Sequence, residues 1–330
     1  MARFPQRASW FWVAAATAAC MAAGVWLGSS SMAAARFDKP ITIVVTFPPG
    51  GGTDLLARKL GAALQQRIGQ NVIVENRPGA SGNIGARHVA EAAGDGSTLL
   101  MVNSSFAINP AVYRQLDFDP RNDFKPVLNV GTIASVLVVP HNSTLQNLAD
   151  ARAAAQAQEL PFASCGNGTP QHMAGEMLAQ AAHLHLQHVP YKGCGPAITA
   201  VAAGQVPLGV VTASSAAPLI EAGRVRAIAI TAPQRLAQWP QVPTVAEQGV
   251  AGFAVEQWHG LLAPAATSDA RLQQMHAVLA QILAEPAMQQ SLRDQGYTPV
   301  QQSTAQFGKT IASDIDRYSA VAQQLGLRVD

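Results

Sequence analysis

The stretch from Ile41 to Asp54 limits the choice of fold more than any other. Ile41-Thr42-Ile43-Val44-Val45 is a short run dominated by β-branched residues, and Pro48-Pro49-Gly50-Gly51-Gly52 cuts it off. Leu56, Leu60, Leu64 and Ile68 then recur every four residues as one face of a helix, which Gly69 stops. Strand, glycine loop and helix in that order are the start of a βα unit. Successive glycines let the backbone curl close to a ligand, and the unpaired N–H groups of a helix's first turn, aided by its dipole, suit an anion. The same residues would also serve as a plain turn with Thr53 or Asp54 capping the helix. No Gly-Lys-Ser/Thr follows, so the Lys and hydroxyl of a triphosphate-binding P-loop are missing, and the glycine spacing is not that of a dinucleotide fingerprint.

The alternation continues along the chain. Strand 41–47, helix 53–68, strand 71–75, a helix near 82–93 and strand 98–103 predict right-handed crossovers and a parallel sheet. Residues 127–139 are long enough for a strand that crosses between two domains. A second series follows: helix 144–156 with Ser143 as cap, strand 161–164, helix 171–182, strand 185–190, helix 197–203, strand 206–212, a helix near 215–222 and strand 225–231. Residues 253–264 read as a second crossing, ahead of helices 268–284, 286–295 and 303–325, the last capped by Ser303. The prediction is an α/β chain of two parallel-sheet lobes joined by two crossing strands. Lobe 1 takes residues 36–137 and 256–330, lobe 2 takes residues 138–255, and the loops after the strands face a cleft that hinge closure can shut.

Composition narrows the partner. The chain has 330 residues, 48% of them hydrophobic, with 13% charged and a formal net charge of +2. That is ample for real cores, and no basic cluster interleaved with aromatics marks a nucleic-acid footprint. Arg3 and Arg7 precede an apolar run from Trp10 to Leu27, and Ala33-Ala34-Ala35 follows, so residues 1–35 read as an export signal cleaved after Ala35. An uncleaved anchor is the alternative. Cys20 lies inside the apolar run without the leucine that usually precedes a lipidated cysteine, so lipidation is not expected.

Cys165 and Cys194 each follow a strand in a glycine-rich loop of an exported chain, and either pair or remain free thiols. Alternation along a strand would put His183 and His185 on one face and His188 on the other, so no metal site is expected, and no cofactor. Ser104, Ser105 or Thr169 with His172 would be the nucleophile and base of an exported hydrolase, the rival reading. No Gly-x-Ser-x-Gly elbow accompanies them. Lys192 is either a cation for an anionic ligand or a solvated loop residue. Trp258 lines the cleft, stiffens the hinge or simply packs.

Several stretches together resemble the Bug family of extracytoplasmic solute receptors, which serve tripartite tricarboxylate transporters. They are Lys39 to Val45 with Phe47-Pro48-Pro49-Gly50-Gly51-Gly52-Thr53-Asp54, Val74-Glu75-Asn76-Arg77-Pro78-Gly79-Ala80-Ser81-Gly82-Asn83, His188-Val189-Pro190-Tyr191-Lys192-Gly193, and Val242-Pro243-Thr244 with Glu247 and Gly249. The resemblance runs from about residue 37 to the C-terminus. It implies a periplasmic binding protein type II fold without catalytic activity, expected to be monomeric, that takes a small organic anion and serves a membrane permease or a sensor. It also implies that Phe47, Pro49, Gly50, Gly51, Thr53, Ser81, Asn83, Ser104, Ser105, Ser164, Gly166, Gly168 and Thr169 surround one carboxylate, partly through water, with Tyr191 and Thr212 towards the far end and Trp258 as a further candidate there; His172, at a helix start, is read from its position as a ligand contact or a helix cap. The chain departs from the family pattern at Asn103-Ser104-Ser105-Phe106, Gln205-Val206-Pro207 and Val211-Thr212-Ala213. Fewer acids there argue against an amino acid, whose ammonium group needs a carboxylate partner.

Overall fold

In the computed structural model, which describes Met1 and residues 37–328, the β-branched run forms β1 (Ile41–Val45). It lies between β2 (Val72–Asn76) and β3 (Thr98–Asn103) and is parallel to both. The expected signal segment, Ala35 and Cys20 fall outside the described residues. Helix α1 (Gly52–Ile68) buries Leu56, Leu60 and Leu64 completely, each worth about 2 kcal/mol, and ends where Gly69 takes the left-handed conformation. After β2 comes a tight turn at Ala80–Gly82, with Ala80 and Ser81 at positive φ, and then α2 (Asn83–Ala90).

The loop expected after β3 is instead a helix, α3 (Ser105–Val112), started by the Asn103 side chain accepting from Ser105 N–H at 2.9 Å. Pro110 sits inside it, which is why the segment reads as a linker in sequence.

The first crossing is β4 (Phe124–Pro140) and the second is β9 (Glu256–Pro264). Between them run α4 (Leu148–Ala157), β5 (Leu160–Ser164), α5 (Pro170–Ala182), β6 (Leu186–Pro190), α6 (Cys194–Ala202), β7 (Leu208–Thr212), α7 (Ala213–Glu221) and β8 (Val225–Ile230). Helix α4 begins later than expected: Asn147, not Ser143, is its cap, accepting from Asp150 N–H. The C-terminal section holds α8 (Asp269–Ala284), α9 (Pro286–Asp294), a short strand β10 (Tyr297–Pro299) absent from the prediction, and α10 (Thr304–Leu325). Ser303 caps α10 and forms a reciprocal capping box with Gln306.

The sheet is mixed rather than wholly parallel. Its order is β2-β1-β3-β9-β4-β7-β5-β6, with β8 and β10 also paired to β4. Strands β1 to β3 and β5 to β7 form parallel groups, while the crossings run antiparallel to their neighbours. Along β4, residues up to Ala134 pair with β9, and Ser135 onwards pairs with β7 and β8. Each half has its own core: Phe106, Phe124, Trp258, Phe307 and Tyr318 in one, Leu137, Phe162, Leu178, Leu208 and Phe253 in the other. No helix among the described residues is long and apolar enough to cross a membrane.

Candidate functional site

The N-cap of α1 is Gly51, which has no side chain to cap the first turn; Asp54, the third helical residue, instead reaches back past it to the loop. Asp54 is 2% exposed and fastens that loop. It accepts from Gly50 N–H at 2.8 Å, Asn76 Nδ2 at 2.8 Å and Arg58 Nε at 3.1 Å. Burial pushes its carboxyl up, but the Arg58, Gly50 and Asn76 bonds outweigh that and hold it below the usual range. Thr53 is fixed by a 3.2 Å bond between its Oγ1 and His259 Nε2. The loop is therefore tied down by bonds to Gly50, Asn76, Arg58 and His259, with no side chain capping the N–H groups of the first turn.

Those groups open on a cavity of about 450 Å³, walled on one side by Pro48 to Thr53 and on the other by residues of α5, α6 and α7. Lys192 is the one charged side chain among the described lining residues, and the lining holds no acid. Thr169 and Thr212 reach it as the caps of α5 and α7, accepting from His172 N–H and Ser215 N–H. Cys165 and Cys194 line it as a disulfide, Cα atoms 4.3 Å apart, joining the loop after β5 to the start of α6. At the far side of the glycine loop, Ser81 Oγ donates to Asn167 O, and Gly52 leaves so little room that an added Cβ would lie 3.2 Å from Ser214 Oγ.

Seven of the residues expected around the ligand thus line the cavity: Phe47, Pro49, Gly50, Gly51, Thr53, Thr169 and Thr212. Ser81, Asn83 and Ser105 border a separate niche of about 10 Å³, the size of one water, which shares Phe47 and Asn103 with the cavity. Ser105 Oγ and Asn109 Oδ1 at this niche are buried with no partner among the described residues.

Ser104, Ser164, Gly166, Gly168, His172 and Tyr191 are not in the lining. Ser104 is fully buried and accepts from Trp258 N–H at 2.9 Å, and Ser164 bonds His188 Nε2 at 2.6 Å. Gly166 and Gly168 shape the loop at positive φ, and Tyr191 N–H bonds back to Ser164 O. Trp258 packs edge-on against Phe307 and donates from Nε1 to Asp314, on the core side of β9.

His172 does not meet a hydroxyl nucleophile. Its Nδ1 accepts from Gly168 N–H, and the Thr169 hydroxyl gives its proton to Gly166 O at 2.7 Å. The histidine cluster is also a different one from that suggested by sequence. His183 ends α5, while His172, Glu176 and His188 come within 4.8 Å of one another. The two imidazoles stack at 3.9 Å and 17°, which sets their in-plane lone pairs side by side rather than converging on an ion, and His188 Nε2 is taken by Ser164. Burial lowers His172 to about 4, and burial with the neighbouring His172 lowers His188 to about 3. This is a packed neutral pair behind the cleft.

Sequence reasoning missed three polar wall residues from the C-terminal part of the chain: Gln257 and His259 of β9, and Tyr297 of β10. Since side chains alternate along a strand, placing Trp258 on the core face would have put residues 257 and 259 on the other.

The comparisons with known proteins agree with this arrangement. Over 295 residues the chain is 32% identical to BugT of Bordetella pertussis, covering 88% of this chain and 90% of BugT. Among solved structures, Rpa4515 of R. palustris with adipate superposes with a TM-score of 0.85 at 30% identity, covering 88% of this chain and 99% of that one. MatC of Rhodopseudomonas palustris with bound malate gives 0.78 at 29%, covering 86% and 99%. The family model described as the tripartite tricarboxylate transporter family receptor matches residues 56–327, and the chain belongs to that family.

Proposed function

We propose that this chain is a periplasmic receptor that captures a small mono- or dicarboxylate between two closing lobes, residues 36–137 with 256–330 and residues 138–255. One observation carries the reading: the uncapped first turn of α1 opens on a 450 Å³ cavity whose described lining contains no acidic side chain. Backbone N–H groups and a helix dipole favour an anion there, and an ammonium group would find no carboxylate partner. The relatives solved with adipate and with malate support the same ligand class. Thr53, Thr169, Thr212 and the glycine loop are the proposed direct contacts, and the niche beside Ser105 and Asn83 is the proposed place for a bridging water. Lys192 is placed to meet a second anionic group. The receptor binds without turning its ligand over, works as a monomer, is exported by residues 1–35 with cleavage after Ala35, and delivers its ligand to a permease or sensor.

A thermal-shift screen of the chain starting at Arg36 against succinate, malate, adipate, citrate, benzoate and aspartate, each at about 1 mM, tests this. An acid with a micromolar dissociation constant stabilises the folded state by about 4 kcal/mol, a rise of several degrees. A shift with the carboxylates and none with aspartate is expected. A shift with aspartate alone would overturn the ligand class.

A further inference from the structure

Tyr297 stands out among the buried polar groups. It is 3% exposed, it lines the cavity, and its hydroxyl has no hydrogen-bond partner among the described residues. Its Oη lies 3.5 Å from where a Cβ on Gly52 would be, beside the open first turn of α1. A phenol O–H buried without a partner forfeits the hydrogen bond it has in water, a cost of about 1 to 3 kcal/mol, so such groups in folded proteins mark a place where something else binds. The ring is also held in place. Tyr297 pairs with Ile133 of β4, and its ring packs edge to face with His259 at 5.2 Å, while His259 in turn bonds Thr53. One contact chain thus runs from β10 through His259 to the residue that opens α1.

We propose that Tyr297 is the side-chain donor of the anion site: its hydroxyl donates to a carboxylate oxygen of the bound acid, alongside the N–H groups of the first turn of α1, with His259 positioning the ring. This rests on the receptor reading above and specifies which end of the ligand is read by a side chain. Burial pushes the Tyr297 hydroxyl well above its ordinary value, which keeps it protonated and a donor. The Tyr297 hydroxyl and the N–H groups of the α1 turn together supply donors to both carboxylate oxygens, so an ionised carboxylate is favoured over its ester, which offers fewer and weaker acceptors.

The test is Tyr297→Phe, with dissociation constants by calorimetry for whichever of succinate, malate, adipate, citrate or benzoate stabilises the unsubstituted protein most. Binding is expected to weaken about 10- to 100-fold, as for loss of a hydrogen bond to a charged group, while the ligand-free melting temperature stays the same or rises, because no internal bond is lost. Tyr318→Phe supplies the opposite pattern. The Tyr318 hydroxyl accepts from Arg317 Nη2 at 2.7 Å in the core, so its loss lowers the melting temperature and leaves affinity unchanged. Unchanged affinity in Tyr297→Phe, or weaker binding matched by a lower ligand-free melting temperature, would overturn the assignment. If none of these acids binds the unsubstituted protein, the receptor reading falls and this inference with it.

Discussion

Asp54 is the residue on which the glycine loop depends. A carboxylate that is 2% exposed and accepts from Gly50, Asn76 and Arg58 does more than an N-cap could, because it fixes the loop while no side chain caps the first turn of the helix. Asp54→Ala would remove three bonds that fix the loop, leaving the Asn76 amide only its bond to Phe47 O, and a loss of about 1 to 2 kcal/mol in unfolding free energy is expected from urea titration, with ligand affinity falling at the same time. Gly52→Ala separates the two effects. A Cβ at 3.2 Å from Ser214 Oγ and 3.5 Å from Tyr297 Oη crowds the cleft, yet alanine is the better helix former. This variant should bind its acid at least tenfold more weakly while its ligand-free stability is unchanged or slightly higher. Equal affinity in calorimetry would mean that the cleft does not close against Gly52.

At the level of elements, the disulfide between the loop after β5 and the start of α6 shapes one wall of the cavity and closes a segment of 29 residues. Chain-entropy reasoning assigns such a cross-link about 3 to 4 kcal/mol. Reduction by a thiol, or the double variant Cys165→Ser with Cys194→Ser, should lower the melting temperature by roughly 10 °C and weaken ligand binding, since Lys192 and Thr169 lose their relative placement. Elements such as these were largely legible in the sequence. The parallel groups could be read from β-branched runs ending in glycine loops, and both crossings from their length. What escaped was short or masked: α3 carries Pro110, and β10 is three residues long. The site was half legible for a related reason. Thr53 and the glycines announce themselves locally, but His259 and Tyr297 reach them only through antiparallel registers with β3 and β4, which no local pattern encodes.

For the molecule as a whole, three neutral buried histidines set the acid limit. Burial holds His172 near 4 and His259 near 3, and burial with the adjacent His172 holds His188 near 3. Folded-state values lie below the unfolded 6.5, so the unfolded chain binds more protons between those limits and stability rises with pH across them. Stability should therefore be full above pH 6.5 and fall as pH drops towards 4. His172 alone accounts for about 3 kcal/mol of that loss. Urea midpoints measured from pH 7.5 to 4.5 check this, and His188→Gln should flatten the slope by roughly a third. The carboxyls of Glu176, Glu256 and Asp314, which burial pushes up, act in the opposite direction and offset part of the slope, so an unchanged slope in His188→Gln is the result that would contradict the burial of these rings.

The bond between Thr53 and His259 spans 206 positions. The glycine loop and the Asp54 bonds that fasten it leave the ribosome early, but His259, which anchors Thr53, and the Gln257 and Tyr297 walls of the cavity come only after the whole intervening series of strands and helices has been made. No amino-terminal fragment can assemble the anion site, so an acid present during synthesis or secretion cannot template the first βα units. Ligand can favour only the finished chain, and folding dominated by such distant pairings is slow. In a chain built this way affinity arrives in a single late step, once β9 and β10 are in place.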